Sequence, residues 1–362
     1  MTPEEYMKIA LSEAKKGMGF VNPNPMVGAV IVKNGKIISK DYHHKYGEFH
    51  AERNAILNCR EDMSGAEIYV TLEPCCHQGK TPPCTQAIID SGIKKVYIGS
   101  DDPNPLVAGK GISILRENGI EVITGVLKEE CDALNKPFFH YIKTKTPYVI
   151  MKYAMTADGK IASFTGKSKW ISNEASRQNV QKTRLRYSGI MAGINTVLKD
   201  DPMLTCRLEG GRNPVRIICD SHLRIPLDCN IMKTVKEIPT IIACTEAVEI
   251  RKSILIQKAG AEVIPTNSEN GHVNLKELMQ KLGERKIDSI LLEGGGELNF
   301  SALSSGIVNH VQIYISPKIL GGKTAPSPVG GLGFDSPDSA LKLDRLDMTT
   351  IGEDILIDCE VL

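Results

Sequence analysis

The chain has 362 residues, 41% apolar and 24% charged, with 44 basic side chains against 43 acidic ones. That length favours two domains, and the near-neutral balance gives no support for polynucleotide or acidic-membrane binding. No apolar run approaches the roughly 20 residues of a bilayer span. Residues 1–5 read as an acidic helix start and not a secretory signal, and ten scattered cysteines, mostly in apolar segments, suit a reducing cytoplasm.

In chain order, Thr2 caps a first helix with Pro3 in its first turn, and Tyr6, Ile9, Ala10, Glu13 and Ala14 give it one mainly apolar face. A strand over 26–32 turns at Asn34-Gly35 into a second over 36–39, the sequence of a type I′ hairpin. There follow a helix over 50–59, a strand over 67–72, a helix over 84–91 ending at Gly92 and a strand over 95–99. A helix over 111–117, a strand over 121–126 and a helix over 128–142 complete this part. Strands separated by such helices predict a sheet covered on both faces, an α/β sandwich.

The polar, proline-ended stretch 143–147 marks a boundary, giving domains of 1–145 and 146–362. The second domain restarts with a strand over 148–156, a turn at 157–159, a helix over 172–186 and strands over 189–192, 215–219, 240–244 and 262–264. A helix over 275–281 precedes a strand over 288–292, which runs into Glu293-Gly294-Gly295-Gly296-Glu297 and another helix. A strand over 311–315 and a β-rich tail end the chain.

The chemistry is concentrated in His50-Ala51-Glu52 and in the segment from Glu73 to Cys84. His50, Cys75 and Cys84 offer one imidazole and two thiolates, a three-ligand zinc site that keeps a fourth position open for water, as catalytic sites do. Zinc lowers the pKa of that water to about 7, and Glu52, beside the metal but not on it, is placed to carry the proton. The pattern H-x-E followed by P-C-x-x-C is the signature of zinc-dependent nucleobase deaminases. Here the second cysteine stands nine positions after the first, a longer loop than the general form. A structural zinc completed by Cys76 or His77 is the competitor; it leaves Glu52 without a role.

In the second domain the glycine loop lets a phosphate approach backbone amides at a helix start, yet it lacks the dinucleotide fingerprint, and a plain tight turn explains it equally well. Arg184, Arg186 and Arg207, with Asp200 and Asp201 nearby in sequence, form either a phosphate grip or a surface salt-bridge network.

The block Asn22-Pro23-Asn24-Pro25-Met26-Val27-Gly28-Ala29, with His50-Ala51-Glu52 and the 74–84 loop, resembles the bifunctional deaminase–reductases of riboflavin biosynthesis. The stretches 152–160, 169–172, 193–197 and 200–207 look like that family's reductase domain, so the similarity spans essentially the whole chain. The resemblance implies a three-layer α/β/α cytidine-deaminase-like domain followed by a dihydrofolate-reductase-like α/β domain. It implies zinc-dependent hydrolytic deamination of a diaminopyrimidinone ribosylamino phosphate, then NADPH-dependent reduction of the ribosyl to a ribityl chain. By position, His50, Cys75 and Cys84 would hold Zn2+, Glu52 would be catalytic, and Asn24, His43, Lys80, Asp101 and Asn104 would hold the pyrimidine and its phosphate. NADPH would meet Ala154, Trp170, Thr196, Asp200, Ser221 and the run Gly295, Gly296, Glu297, Leu298, Asn299, Phe300 and Ser301. Trp170 is the only tryptophan, and core packing is an equal account of it. The reductase substrate would meet Ser168, Arg184, Leu204, Arg207 and Glu293, with the arginines at its phosphate.

The expected partner is a small phosphorylated pyrimidine, not nucleic acid or membrane, bound by a cytoplasmic homo-oligomer, a dimer or tetramer. A nucleic-acid or nucleoside deaminase with an accessory domain is one alternative, disfavoured for polynucleotides by the neutral charge. A non-enzymatic interaction protein is the other, and it leaves Glu52 and the glycine loop unused.

Overall fold

The computed structural model describes residues 1–362, which divide into two units, Met1–Lys145 and Thr146–Leu362. No helix is long and apolar enough to cross a membrane.

In the first unit a reciprocal capping box between Thr2 and Glu5, with Pro3 in the first turn, starts α1 (Pro3–Ala14). Asn34 and Gly35 sit at φ 51° and 75°, the two left-handed residues of a type I′ turn, and join β1 (Gly28–Lys33) to β2 (Lys36–Tyr42). Next come α2 (Ala51–Leu57), β3 (Glu67–Leu72), α3 (Cys84–Asp90), β4 (Lys95–Ser100), α4 (Lys110–Glu117), β5 (Glu121–Thr124), α5 (Lys128–Leu134) and α6 (Lys136–Thr144). The sheet order is β2-β1-β3-β4-β5, with β1 antiparallel to both neighbours and β3, β4 and β5 parallel. Alternate side chains of β1 serve opposite faces. Val30 and Val32 join Tyr6, Met7 and Ala10 of α1, while Ala29 and Ile31 join Ala51 and Ala55 of α2 and Ile88 of α3. A Cβ on Gly28 would stand 2.0 Å from the Ala10 carbonyl oxygen, so α1 meets β1 where only glycine fits.

The single helix expected over 128–142 is two helices. Pro137 cannot donate to the helix, and its ring collides with the carbonyl four residues back. The break falls at Asn135, whose buried amide accepts from the Met26 N–H and donates to the Met26 carbonyl, both at 2.9 Å.

The second unit contains β6 (Tyr148–Thr156), α7 (Glu174–Arg186), β7 (Gly189–Gly193), α8 (Ile194–Asp200), β8 (Val215–Cys219), α9 (Asn230–Lys233), β9 (Thr240–Thr245), α10 (Ile250–Ala259) and β10 (Glu262–Thr266). Short β11 (Ser268–Glu269) and β12 (His272–Val273) lead to α11 (Leu275–Glu284), β13 (Ser289–Leu292), α12 (Gly296–Ser304), β14 (Val308–Ser316), β15 (Leu343–Ile351) and β16 (Asp354–Val361). The nine-stranded sheet runs β10-β9-β8-β7-β13-β6-β14-β16-β15, parallel from β10 to β14 and antiparallel in the last two strands. Ile190, Ala192 and Ile218 face Val197, Ile231 and Ile256 of α8, α9 and α10, none of which the sequence pattern announced. On the other face Met191, Ile217 and Leu292 pack against Leu278 and Leu282 of α11 and Ala302 of α12. Continuous apolar strands are what a parallel sheet buried on both faces requires. Its carboxyl edge, where ligands of such sheets bind, carries Glu293 and the glycine loop.

Candidate active sites

His50 is the residue that caps α2, Cys84 opens α3, and Cys75 lies just beyond β3. His50 Nδ1 is thereby 3.5 Å from the sulfurs of both Cys75 and Cys84, and the three ligand atoms lie within 4.8 Å of one another. A tetrahedral zinc held at about 2.1 Å by nitrogen and about 2.3 Å by sulfur needs an N···S separation of about 3.5 Å. Both N···S separations match that ion. A hydrogen bond from the Cys84 thiol, helped by His50, draws Cys75 down to about 4, and the same bond pushes Cys84 well up. A metal at this point takes both sulfurs as thiolates. Cys76 turns instead to the Leu106 carbonyl at 3.6 Å.

Glu52, in the first turn of α2, is 3% exposed, and its Oε2 has no hydrogen-bond partner. Burial pushes its carboxyl up to about 7, against the pull of His50. A buried polar atom left unpaired is costly, and a perturbed carboxyl in a cleft marks a functional group.

A cavity of about 290 Å³ opens over the cluster, lined by Asn24, His43, Lys80 and Asn104 of the residues expected to hold a pyrimidine. Burial lowers His43 to about 4, so its imidazole is neutral. It donates through Nδ1 to the Phe49 carbonyl at 3.0 Å and accepts at Nε2 from the Asn24 amide at 3.2 Å. Lys80 Nζ lies 4.0 Å from the Tyr46 ring centroid. Asp101 is not brought to this cavity: its exposed carboxylate pairs with Lys128 at 3.2 Å. Its neighbour Asp102 lines the wall, buried and raised to about 6 by that burial. His77 and Glu73 also line it without having been expected there. An acid directly before the metal-binding Pro-Cys pair was the one sequence signal for Glu73.

In the second unit, Lys152 and Ala154 on β6, Arg184 on α7 and Glu293 just after β13 share a cavity of about 250 Å³ with Ser168, Trp170 and Arg207. Arg184 grips Glu293 with two hydrogen bonds, Nε to Oε1 at 2.7 Å and Nη2 to Oε2 at 3.1 Å, and Lys152 Nζ lies 3.1 Å from Oε2. Burial alone would raise Glu293, but the two cations outweigh it and hold the carboxyl well below its usual range. The remaining Nη1 of Arg184 donates to the Thr205 carbonyl at 2.9 Å, so this guanidinium is committed to the protein. Arg207, also on the cavity wall, is exposed. Trp170 is 60% exposed with the Arg177 guanidinium 4.6 Å from its ring centroid, so it is no core residue. Lys152 had no expected role; a lysine inside an otherwise apolar strand was its signal.

Leu204 is not at this cavity, because its side chain is buried in the core with Ile190 and Ile218. Thr196, Asp200, Ser221 and residues 295–301 also lie outside it. Thr196 and Asp200 belong to α8, which starts where β7 ends beside β13, and the Ser221 hydroxyl accepts from the Val273 N–H at 3.2 Å. Gly295 precedes α12 without any side-chain cap, and a side chain built on it meets nothing within 4 Å. Open backbone amides at a helix start fit the pyrophosphate of a dinucleotide. The side chains of Glu297, Asn299 and Phe300 meet the 328–334 loop. Glu297 accepts from the Gly331 N–H at 3.2 Å, Asn299 donates to the Pro328 carbonyl at 2.8 Å, and the Phe300 ring centroid lies 5.7 Å from that of Phe334.

Residues 147–357 match the RibD C-terminal domain, and residues 1–100 match the zinc-binding region of cytidine and deoxycytidylate deaminases. The riboflavin biosynthesis protein RibD of Actinobacillus pleuropneumoniae is 58% identical over 362 residues, covering 100% of this chain and 96% of that protein. The Aquifex aeolicus RibD is 43% identical, over 98% of this chain and 97% of its own. A Thermotoga maritima diaminohydroxyphosphoribosylaminopyrimidine deaminase/5-amino-6-(5-phosphoribosylamino)uracil reductase superposes with a TM-score of 0.87 at 40% identity, covering 99% of each chain. The cytidine-deaminase-like domain and the reductase domain expected from the sequence are both present, and with them a requirement for Zn2+ and NADPH. The chain belongs to the RibD family of bifunctional riboflavin biosynthesis proteins.

Proposed function

We propose that residues 1–145 hydrolytically remove an amino group from a diaminopyrimidinone carrying a ribosylamino phosphate, and that residues 146–362 reduce the ribosyl group of the product to ribityl. The chain is a zinc deaminase and an NADPH-dependent reductase of riboflavin biosynthesis. The observation that carries the residue assignment is the partnerless Glu52 Oε2 beside a His50–Cys75–Cys84 cluster of zinc dimensions.

His50, Cys75 and Cys84 would hold the zinc, which would supply a nucleophile from water near neutral pH. Glu52 would accept the proton of that water and return it to the ring nitrogen and then to the departing amine, which would leave as ammonia while a carbonyl takes its place. Asn24, His43, Asn104 and, in place of Asp101, Asp102 hold the base edges, and Lys80 holds the phosphate. In the second unit bound NADPH supplies the hydride. When the anomeric carbon is reduced, its bond to the ring oxygen breaks and that oxygen takes a proton, for which Lys152, pinned by Glu293, is the acid facing the cavity. Arg207 and Ser168 meet the phosphorylated substrate, while Trp170, Ala154, Thr196, Asp200 and the 295–298 backbone meet the nucleotide.

Supplying the diaminopyrimidinone phosphate with and without NADPH, and following ammonia and nicotinamide absorbance separately, tests both halves. Ammonia is expected in both arms and NADPH oxidation in one. Zinc-loaded protein that releases no ammonia would overturn the substrate; ammonia without NADPH oxidation would overturn the second step. A cytoplasmic homo-oligomer, dimer or tetramer, completes the proposal. Sheet-edge strand β15 exposes Leu346 and Met348, an edge that invites pairing, and none of the ten cysteines is paired in a disulfide, which suits a reducing compartment. A monomer by sedimentation at micromolar concentration would sink the assembly.

A further inference from the structure

Glu73 carries a buried carboxylate that neither reaction above uses. It follows β3 directly and is 3% exposed. Its oxygens accept backbone N–H groups and not a cation: Oε2 from Gly109 at 3.0 Å and Asp102 at 3.5 Å, Oε1 from Ile112 at 3.3 Å. A buried carboxylate without a counter-charge needs such donors, and all three belong to one segment, 102–112. That segment brings Asp102 and Asn104 to the deaminase cavity.

The order within the segment depends on this anchor. Gly109, at φ 79°, precedes α4 and supplies no side-chain cap; Glu73 supplies the anion at that helix start from another strand. The bonds then run onward, from the Asn104 N–H to Asp102 Oδ1 at 2.8 Å and from the Leu106 N–H to Asn104 Oδ1 at 3.1 Å. A Cβ on Gly111 would stand 2.3 Å from the Pro74 carbonyl oxygen and 3.2 Å from Glu73 Oε1, so the segment is seated tightly on the strand end. Cys75 follows two residues after Glu73.

We propose that Glu73 is a positioning residue: it ties the 102–112 segment to the strand end bearing the Cys75 ligand and thereby sets affinity for the pyrimidine. This rests on the deaminase reading above. Because its carboxylate is committed to backbone amides, its loss acts on KM more than on kcat.

The test is Glu73→Gln in the full-length chain, which keeps the shape but turns an NH2 group toward N–H donors. Deaminase KM should rise about tenfold, the effect of losing charge-assisted hydrogen bonds, with kcat within about twofold. Zinc content and reductase kinetics should be unchanged. Glu73→Asp, which keeps the charge at shorter reach, should recover part of the loss. On an Asn104→Ala background E73Q should add less than about twofold, since both changes act through one segment. An unchanged KM, full additivity with N104A, or loss of zinc from E73Q would overturn the inference. A wild-type chain unable to deaminate the diaminopyrimidinone phosphate would instead overturn the reading beneath it.

Discussion

Each of the two sites holds a glutamate largely shielded from water, Glu52 in the first and Glu293 in the second, and the two are held in opposite states. Glu52 has an oxygen without a partner and is pushed up to about 7 by burial. Glu293 is less deeply placed, with 13% of its side chain exposed, and Arg184 and Lys152 grip both of its oxygens and hold it well below the usual carboxylate range. Residue type and burial do not assign the role; the charges within hydrogen-bond reach do. Burial raises Glu52, which suits a group that takes up and returns a proton. Glu293 stays an anion whose work is to fix two cations.

Substitutions at these two positions should separate them most sharply. Glu52→Gln should lower deaminase turnover at least about a hundredfold, with zinc content and reductase kinetics intact; wild-type ammonia release from this variant would end its assignment as the proton carrier. Chelating the metal should abolish the first step alone, and a reductase that also stopped would tie zinc to the wrong unit or to folding of both. Glu293→Gln should leave Lys152 and Arg184 facing a neutral amide, costing the second unit about 3 kcal/mol. Reductase activity should then be lost at a lower temperature while ammonia release persists. An unshifted midpoint would mean the carboxylate is not needed as an anion. Arg207→Ala should raise the reductase KM about tenfold by removing a charged contact to phosphate, and an unchanged KM would move the phosphate elsewhere.

The two regions also differ in how much the sequence discloses. The zinc ligands and Glu52 are legible because metal chemistry demands fixed residue types at short spacing, and the local fold follows: β3 spans Glu67–Leu72, and Asn34-Gly35 makes its turn. Strands such as β6 and β8 are legible because apolar β-branched runs mark a sheet buried on both faces. The break at Asn135 is not, since it is fixed by hydrogen bonds to Met26, far away in sequence. Helix α10 is not legible either, because Ile250, Ile254 and Leu255 are exposed while Ile256 is buried, which blurs the 3.6-residue period. In the reductase half the glycine loop announces a backbone cradle. Which way Glu297, Asn299 and Phe300 turn depends on the 328–334 loop they meet, and no local pattern records that.

The smallest expected effect tests that limit directly. Asp101 and Asp102 are chemically identical neighbours on the same loop, and motif position alone pointed to the first. The chain direction at the end of β4 sends Asp101 outward to Lys128, while Asp102 turns inward, its N–H directed to Glu73 and its Oδ1 accepting from Asn104. An exposed ion pair contributes about 1 kcal/mol or less, and Asp101 has no contact with the cavity to lose. Asp101→Asn should therefore change deaminase KM by less than about twofold, whereas Asp102→Asn, at the cavity wall, should raise it about tenfold. The reverse ranking would show that the loop turns over when substrate binds, and that the carboxylate facing solvent is the one that recognises the base.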